Sequence, residues 1–259
     1  MLIIRKEQKV ALREVPLAVF KERMFVHLQK YFPEDCKILG DSQLKQVIDF
    51  GIAGAESHGF QSSGDACRYL SLMFLFGSYF DQDPQIPWAE ELLKDRNIVS
   101  PHTRMDLLCD RAGKCLDRIS GPSGEYYKRA LLKLRGRSFD DVTKTDARDL
   151  NAAISSFLKS IYPQKYQEMD EEKAAAMAKL AESQADTYGM NTREGVLVYA
   201  GFMFLLGSHF DRDLLYPWAA AVLKDSSIAG SDFKARKLHK QAIYILEQFI
   251  AVNGSIGSA

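Results

Sequence analysis

An excess of charge of either sign is missing from this sequence. Its 34 Lys and Arg balance 34 Asp and Glu, with the signs interspersed along 259 residues. A surface for nucleic acid or anionic membrane needs a basic patch, so neither is expected as a partner. The one local basic run, Lys128, Arg129, Lys133, Arg135 and Arg137, reads as a solvated helix face. Long apolar runs are missing too. The longest uncharged stretch, Gly195 to His209, falls short of the roughly 20 residues a membrane-spanning helix needs. Met1-Leu2-Ile3-Ile4 meets charges at once, so no apolar leader core forms and a cytoplasmic chain is expected.

Cysteine is sparse and has no metal or redox spacing. Cys36, Cys67, Cys109 and Cys115 form no Cys-x-x-Cys pair. Five histidines, His27, His58, His102, His209 and His239, form no i, i+4 pair among themselves that would suggest a metal site. No Gly-x-Ser-x-Gly, phosphate-cradling loop or dinucleotide fingerprint occurs. No cofactor, metal or catalytic residue is therefore assigned, although a dispersed catalytic site would leave no local trace.

What the chain does contain is a repeat. Met73 to Ile98 aligns without a gap on Met203 to Ile228, with 15 identities in 26 positions. Each copy carries Phe-Asp-x-Asp (Phe80, Asp81 and Asp83; Phe210, Asp211 and Asp213) and then Pro-Trp-Ala (Pro87 and Trp88; Pro217 and Trp218). The same offset of 130 places Tyr31-Phe32-Pro33 on Ile161-Tyr162-Pro163, and Leu116 and Ile119 on Leu246 and Phe249. The four cysteines fall on Tyr166, Leu197, His239 and Ile245, as expected of small buried hydrophobes. A period this long exceeds that of solenoid arrays.

Apolar spacing is helical throughout, with no sustained alternation that would demand a sheet. The expected fold is all-α, with two tandem, pseudo-two-fold helical repeats of about 100 residues, each around a central apolar helix. Expected helices lie near 12–31, 41–58, 63–79, 87–95 and 102–119, and again near 147–161, 170–188, 192–209, 217–225 and 231–251. The expected division is 1–119, a linker with a short helix over 120–146, a second repeat over 147–252 and a flexible tail over 253–259. Ser62 with Asp65, and Asn191 with Glu194, resemble capping boxes. Gly136 to Asp146 reads as a polar loop.

Asp81-x-Asp83 begins like a calcium loop, but the required Gly and Glu positions hold Ile86 and Leu92, or Tyr216 and Val222 in the second copy. The repeated motif reads instead as a core corner. Phe80 and Phe210 close the central helix, Asp83 and Asp213 cap the following turn, and Pro87 and Pro217 open the next helix. Trp88 and Trp218, the only tryptophans, are expected to anchor that helix in buried positions.

Leu2-Ile3-Ile4-Arg5-Lys6-Glu7-Gln8, Phe32-Pro33 and the stretch Met73 to Ala89 together resemble a group of poorly characterised bacterial proteins. These are encoded near spike and effector genes of type VI secretion clusters. The resemblance covers mainly the first 120 residues; the second copy lacks the Arg-x-x-Gln opening and has Leu214 in place of Pro84. It implies a non-catalytic protein that binds a cognate effector or toxin, as immunity protein or as effector chaperone and adaptor. Two other readings stand beside it. One is an enzyme with an active site between the repeats. The other is a self-assembling protein that buries Tyr126, Leu131 and Leu134 of the insert helix against a second copy.

Overall fold

The computed structural model describes residues 6–144, 147 and 149–254. Among these every regular element is helical. In chain order the α-helices are α1 (Lys6–Tyr31), α2 (Pro33–Ser57), α3 (Ser63–Phe76), α4 (Pro87–Lys94) and α5 (Pro101–Ser120). Then come α6 (Glu125–Arg135), α7 (Phe139–Thr143), α8 (Leu150–Ile161) and α9 (Pro163–Gln167). The chain continues with α10 (Glu171–Thr187), α11 (Arg193–Leu206), α12 (Pro217–Leu223) and α13 (Ser231–Gly254). None of the described helices is long and apolar enough to cross a membrane.

The starts follow from local chemistry. Ser62 accepts from the Asp65 amide at 3.0 Å, Asp170 from Lys173 at 2.8 Å and Thr192 from Gly195 at 3.2 Å. Each satisfies one amide that the first helical turn leaves free. Thr192, not the expected Asn191, is therefore the cap of α11. Proline opens α2, α4, α5, α9 and α12, where its missing N–H costs nothing. Gly40, at φ +73°, splits α2 into a short leading turn and a long helix, as the gap between α9 and α10 does later in the chain.

Two cores form. One gathers residues 24–112 together with Leu215, and the other residues 130–246. In the second, Gly195 to Phe204 of α11 are buried without interruption, and each large side chain there contributes about 1.5–3 kcal/mol. This matches the expected central post. Its counterpart α3 does not: Leu75 is 45% exposed, and Phe74 and Phe76 are only half-buried. Both helices also stop earlier than expected, at Gly77 and Gly207.

Several further expectations are corrected. The stretch read as a loop contains α7, opened by a reciprocal Ser138–Asp141 capping box, with Phe139 and Val142 buried. Two apolar residues three apart suffice to dock so short a helix, too few to show a period in sequence. The apolar face of α6 is already used within the chain, since Leu131 and Leu134 are buried in the second core and Tyr126 packs partly against it. The expected tail begins inside α13, which runs to Gly254; residues 255–259 lie outside the described ones.

Candidate functional site

The repeated corner turns out to join the two cores. The Ser78 amide donates to Asp213 Oδ2 at 2.7 Å, and the Ser208 amide donates to Asp83 Oδ2 at 3.0 Å. Each aspartate also accepts from its own turn, Asp83 from the Gln85 amide at 2.9 Å and Asp213 from the Leu215 amide at 2.8 Å. The expected turn-capping role is thus half of what these residues do. Asp83, Asp213, Ser78 and Ser208 are all buried, so each carboxylate satisfies amides that water cannot reach. Burial pushes the Asp213 carboxyl up, against the opposing hydrogen bonds from Ser78 and Leu215.

The approach of the two corners is close. A methyl group on Gly77 would lie 3.1 Å from the Leu206 carbonyl oxygen, and one on Gly207 would lie 3.3 Å from that of Phe76. Tyr79 and His209 meet edge to face with centroids 5.5 Å apart, and Arg212 lies over the Tyr79 ring. Leu215 enters the first core, while the Gln85 amide reaches across to the Met203 carbonyl at 2.8 Å.

The remaining motif residues divide differently. Phe80 and Phe210 are fully buried, as expected. Asp81 Oδ2 accepts from His58 Nε2 at 2.8 Å and from the Tyr69 hydroxyl at 3.0 Å, while Asp211 Oδ2 accepts from the Tyr188 hydroxyl at 2.7 Å. Burial would raise the Asp81 carboxyl, but the His58 and Tyr69 hydrogen bonds hold it below its ordinary value. Trp88 and Trp218 are half-buried, not buried. Each meets a phenylalanine edge to face, but the partners, Phe76 and Phe202, are not equivalent positions.

Beside this junction lies a cavity of about 340 Å³. Its walls combine Phe74, Leu75 and Phe76 of α3 with Leu205, Leu206 and Trp218 from the other side. The apolar faces of Leu116 and Ile119, and of Leu246 and Phe249, also reach it. Phe74, Leu75 and Phe76, the end of α3 that is not fully buried, border this cavity.

A few polar groups converge on these walls. Asp35 sits in the leading turn of α2 and Lys165 in α9, residues that the 130 offset aligns. Burial pushes the Asp35 carboxyl up to about 6, its own backbone amide opposing and the Glu34 charge adding. Burial pushes the Lys165 ammonium down, with the Asp83 charge opposing. Lys165 Nζ donates to the Phe204 carbonyl and lies over that ring. Among the described residues no carboxylate comes within ion-pair distance of it. Tyr127 and Tyr216 also line the cavity, and burial raises both phenols, Asp35 adding at each. Gln85 Oε1 is buried without a hydrogen-bond partner.

Other titratable clusters lie outside the cavity. His102 Nδ1 and Arg68 both reach Asp65, at 3.1 and 2.5 Å, an ion-pair network at the start of α3. The His58–Asp81 and His102–Asp65 contacts join residues 23 and 37 apart, beyond any local spacing pattern. Cys67 Sγ lies 3.6 Å from His27 Nε2, but burial pushes this thiol up, the opposite of an activated thiolate. All four cysteines are free, and no group of three or more potential ligands that could hold a metal occurs among the described residues.

Asp35 and Lys165 were the residues most easily missed in sequence. Each is an ordinary charge on a short turn, and only their shared offset from Phe32-Pro33 and Tyr162-Pro163 marks them. The arrangement can enclose an apolar group and meet a polar end. No protein-family model, curated protein or solved structure matches this chain.

Proposed function

We propose that this chain is a non-catalytic binding protein built from two tandem helical repeats. The pseudo-two-fold axis would pass between Gly77 and Gly207, with residues 1–119 and 147–252 as the repeats and 120–146 as the linker. Its partner is a cognate effector or toxin of a bacterial type VI secretion module, held in the cytoplasm as immunity protein or as chaperone and adaptor. The supporting observation is the space between the cores, a largely apolar cavity that can bury part of a partner. The reciprocal Asp83 and Asp213 contacts support a doubled module, since each copy satisfies the same serine amide in the other.

Co-expression with the products of adjacent genes, followed by affinity purification and size-exclusion chromatography, tests the partner. A stable stoichiometric complex with one of them is expected; elution of this chain alone would refute the effector reading. Protection of cells against the toxin then marks an immunity protein, and raised effector abundance without protection marks a chaperone.

The runner-up, an enzyme with its site between the repeats, draws on Asp35 and Lys165, whose protonation is perturbed in that space. It requires turnover of some substrate that Lys165→Met abolishes.

A further inference from the structure

We propose that the cavity between the two cores is a binding site for a medium-chain monocarboxylate, its acyl chain along the aromatic and aliphatic walls and its carboxylate on Lys165. This goes beyond the effector reading and does not depend on it.

The volume sets the length. A space of about 340 Å³ lies at the small end of ligand pockets, roughly 300–1,000 Å³, which suits a chain of about eight to ten carbons with its head. The lining sets the body of the ligand: Phe74, Leu75, Phe76, Leu116, Leu206 and Phe202 present only hydrocarbon.

The polar inventory sets the head. Lys165 is the one cation among the described lining residues. One of its N–H groups is committed to the Phe204 carbonyl, which leaves its remaining donors for a ligand. The Tyr127 and Tyr216 hydroxyls make no hydrogen bond to another described residue, so further donors are free to serve an acceptor. A phosphate dianion is disfavoured, because a single lysine would face it while three carboxyl groups, Asp35, Asp83 and Glu168, stand on the same walls. A monoanion matches the single ammonium. An amine head would instead seek Asp35, and that difference is measurable.

The test is calorimetric titration of the full chain with decanoate below its micellar concentration, beside decan-1-ol and decylamine. Trp218, on the cavity wall, supplies a fluorescence readout in a Trp88→Phe background. Decanoate is expected to saturate one site and to bind more tightly than either analogue. Lys165→Met is expected to weaken decanoate about tenfold or more, the worth of a charge-assisted hydrogen bond, and to change decan-1-ol less than about threefold.

Leu75 is exposed at the cavity wall, so Leu75→Trp should fold and narrow the space. It is expected to weaken decanoate and decan-1-ol alike. Absence of saturable decanoate binding, tighter binding of decylamine, or indifference of decanoate to both substitutions would overturn the proposal. Formation of an effector complex is unaffected by any of these outcomes, so the two readings fail separately.

Discussion

At the scale of single residues, the decisive groups are three carboxylates in unlike settings. Asp213 serves the buried amides of Ser78 and Leu215 at 2.7 and 2.8 Å. Asp213→Ala leaves both without an acceptor, and an unsatisfied buried group costs about 1–3 kcal/mol. A loss of roughly 2–6 kcal/mol is expected in urea denaturation, from the same per-group cost. Asp83→Ala should lose at least as much, because the Ser208 hydroxyl also donates to Asp83, at 2.6 Å.

Asp35 behaves in the opposite sense. Its carboxyl is pushed up to about 6 by burial, so the fold prefers the protonated form. That preference contributes stability below the ordinary value of 3.8, and the contribution is lost as the pH rises through about 6. Asp35→Asn should therefore stabilise the protein at pH 7, by about 1–3 kcal/mol for a shift of this size. The gain should vanish near pH 4 in paired urea melts. A stability difference between variant and parent that is the same at both pH values would refute the assignment.

At the scale of elements, the repeated corner is where backbone conformation becomes binding for the fold. Gly77 and Gly207 hold φ of +96° and +106° and face each other's helix ends at van der Waals distance. Only glycine adopts that region without strain. Gly77→Ala and Gly207→Ala are each expected to cost about 1–3 kcal/mol, readable as a lowered melting temperature. The two costs should be similar, since each added methyl meets a carbonyl and an aspartate oxygen of the other corner.

Helix positions were legible because apolar spacing, prolines and capping residues are local signals. Two elements show the limit of such signals. The five-residue α7 is too short to display a period, yet Phe139 and Val142 dock it. The helix α3 carries as apolar a sequence as α11, and both line the cavity, yet Leu75 of α3 is exposed there while Gly195 to Phe204 of α11 are buried. Composition says that a helix prefers burial; it does not say whether partners exist on every side.

At the scale of the whole molecule, the two cores are tied together by buried hydrogen bonds, by Leu215 crossing into the first core and by packing of α13 on α2. Unfolding one core would expose the other's amides and the cavity walls, so a single cooperative transition is expected. Trp218 belongs to the second core and Trp88 packs against the first. Fluorescence melts of Trp88→Phe and Trp218→Phe should therefore share one midpoint after correction for each substitution. Two separate midpoints would show that the cores unfold independently.

The sequence by itself determined that the chain is helical and where its repeated corner lies, because helix periodicity, caps and an offset of 130 are all written in neighbouring residues. It also determined that Asp83 and Asp213 hold turns, since their own amides lie two residues on. Only the tertiary structure decided that each aspartate reaches into the other corner, that the tryptophans are half-buried on unlike partners, and that Asp35 and Lys165 line one cavity. Those outcomes depend on how two cores approach each other, and the shape left between packed surfaces has no local spelling in the chain.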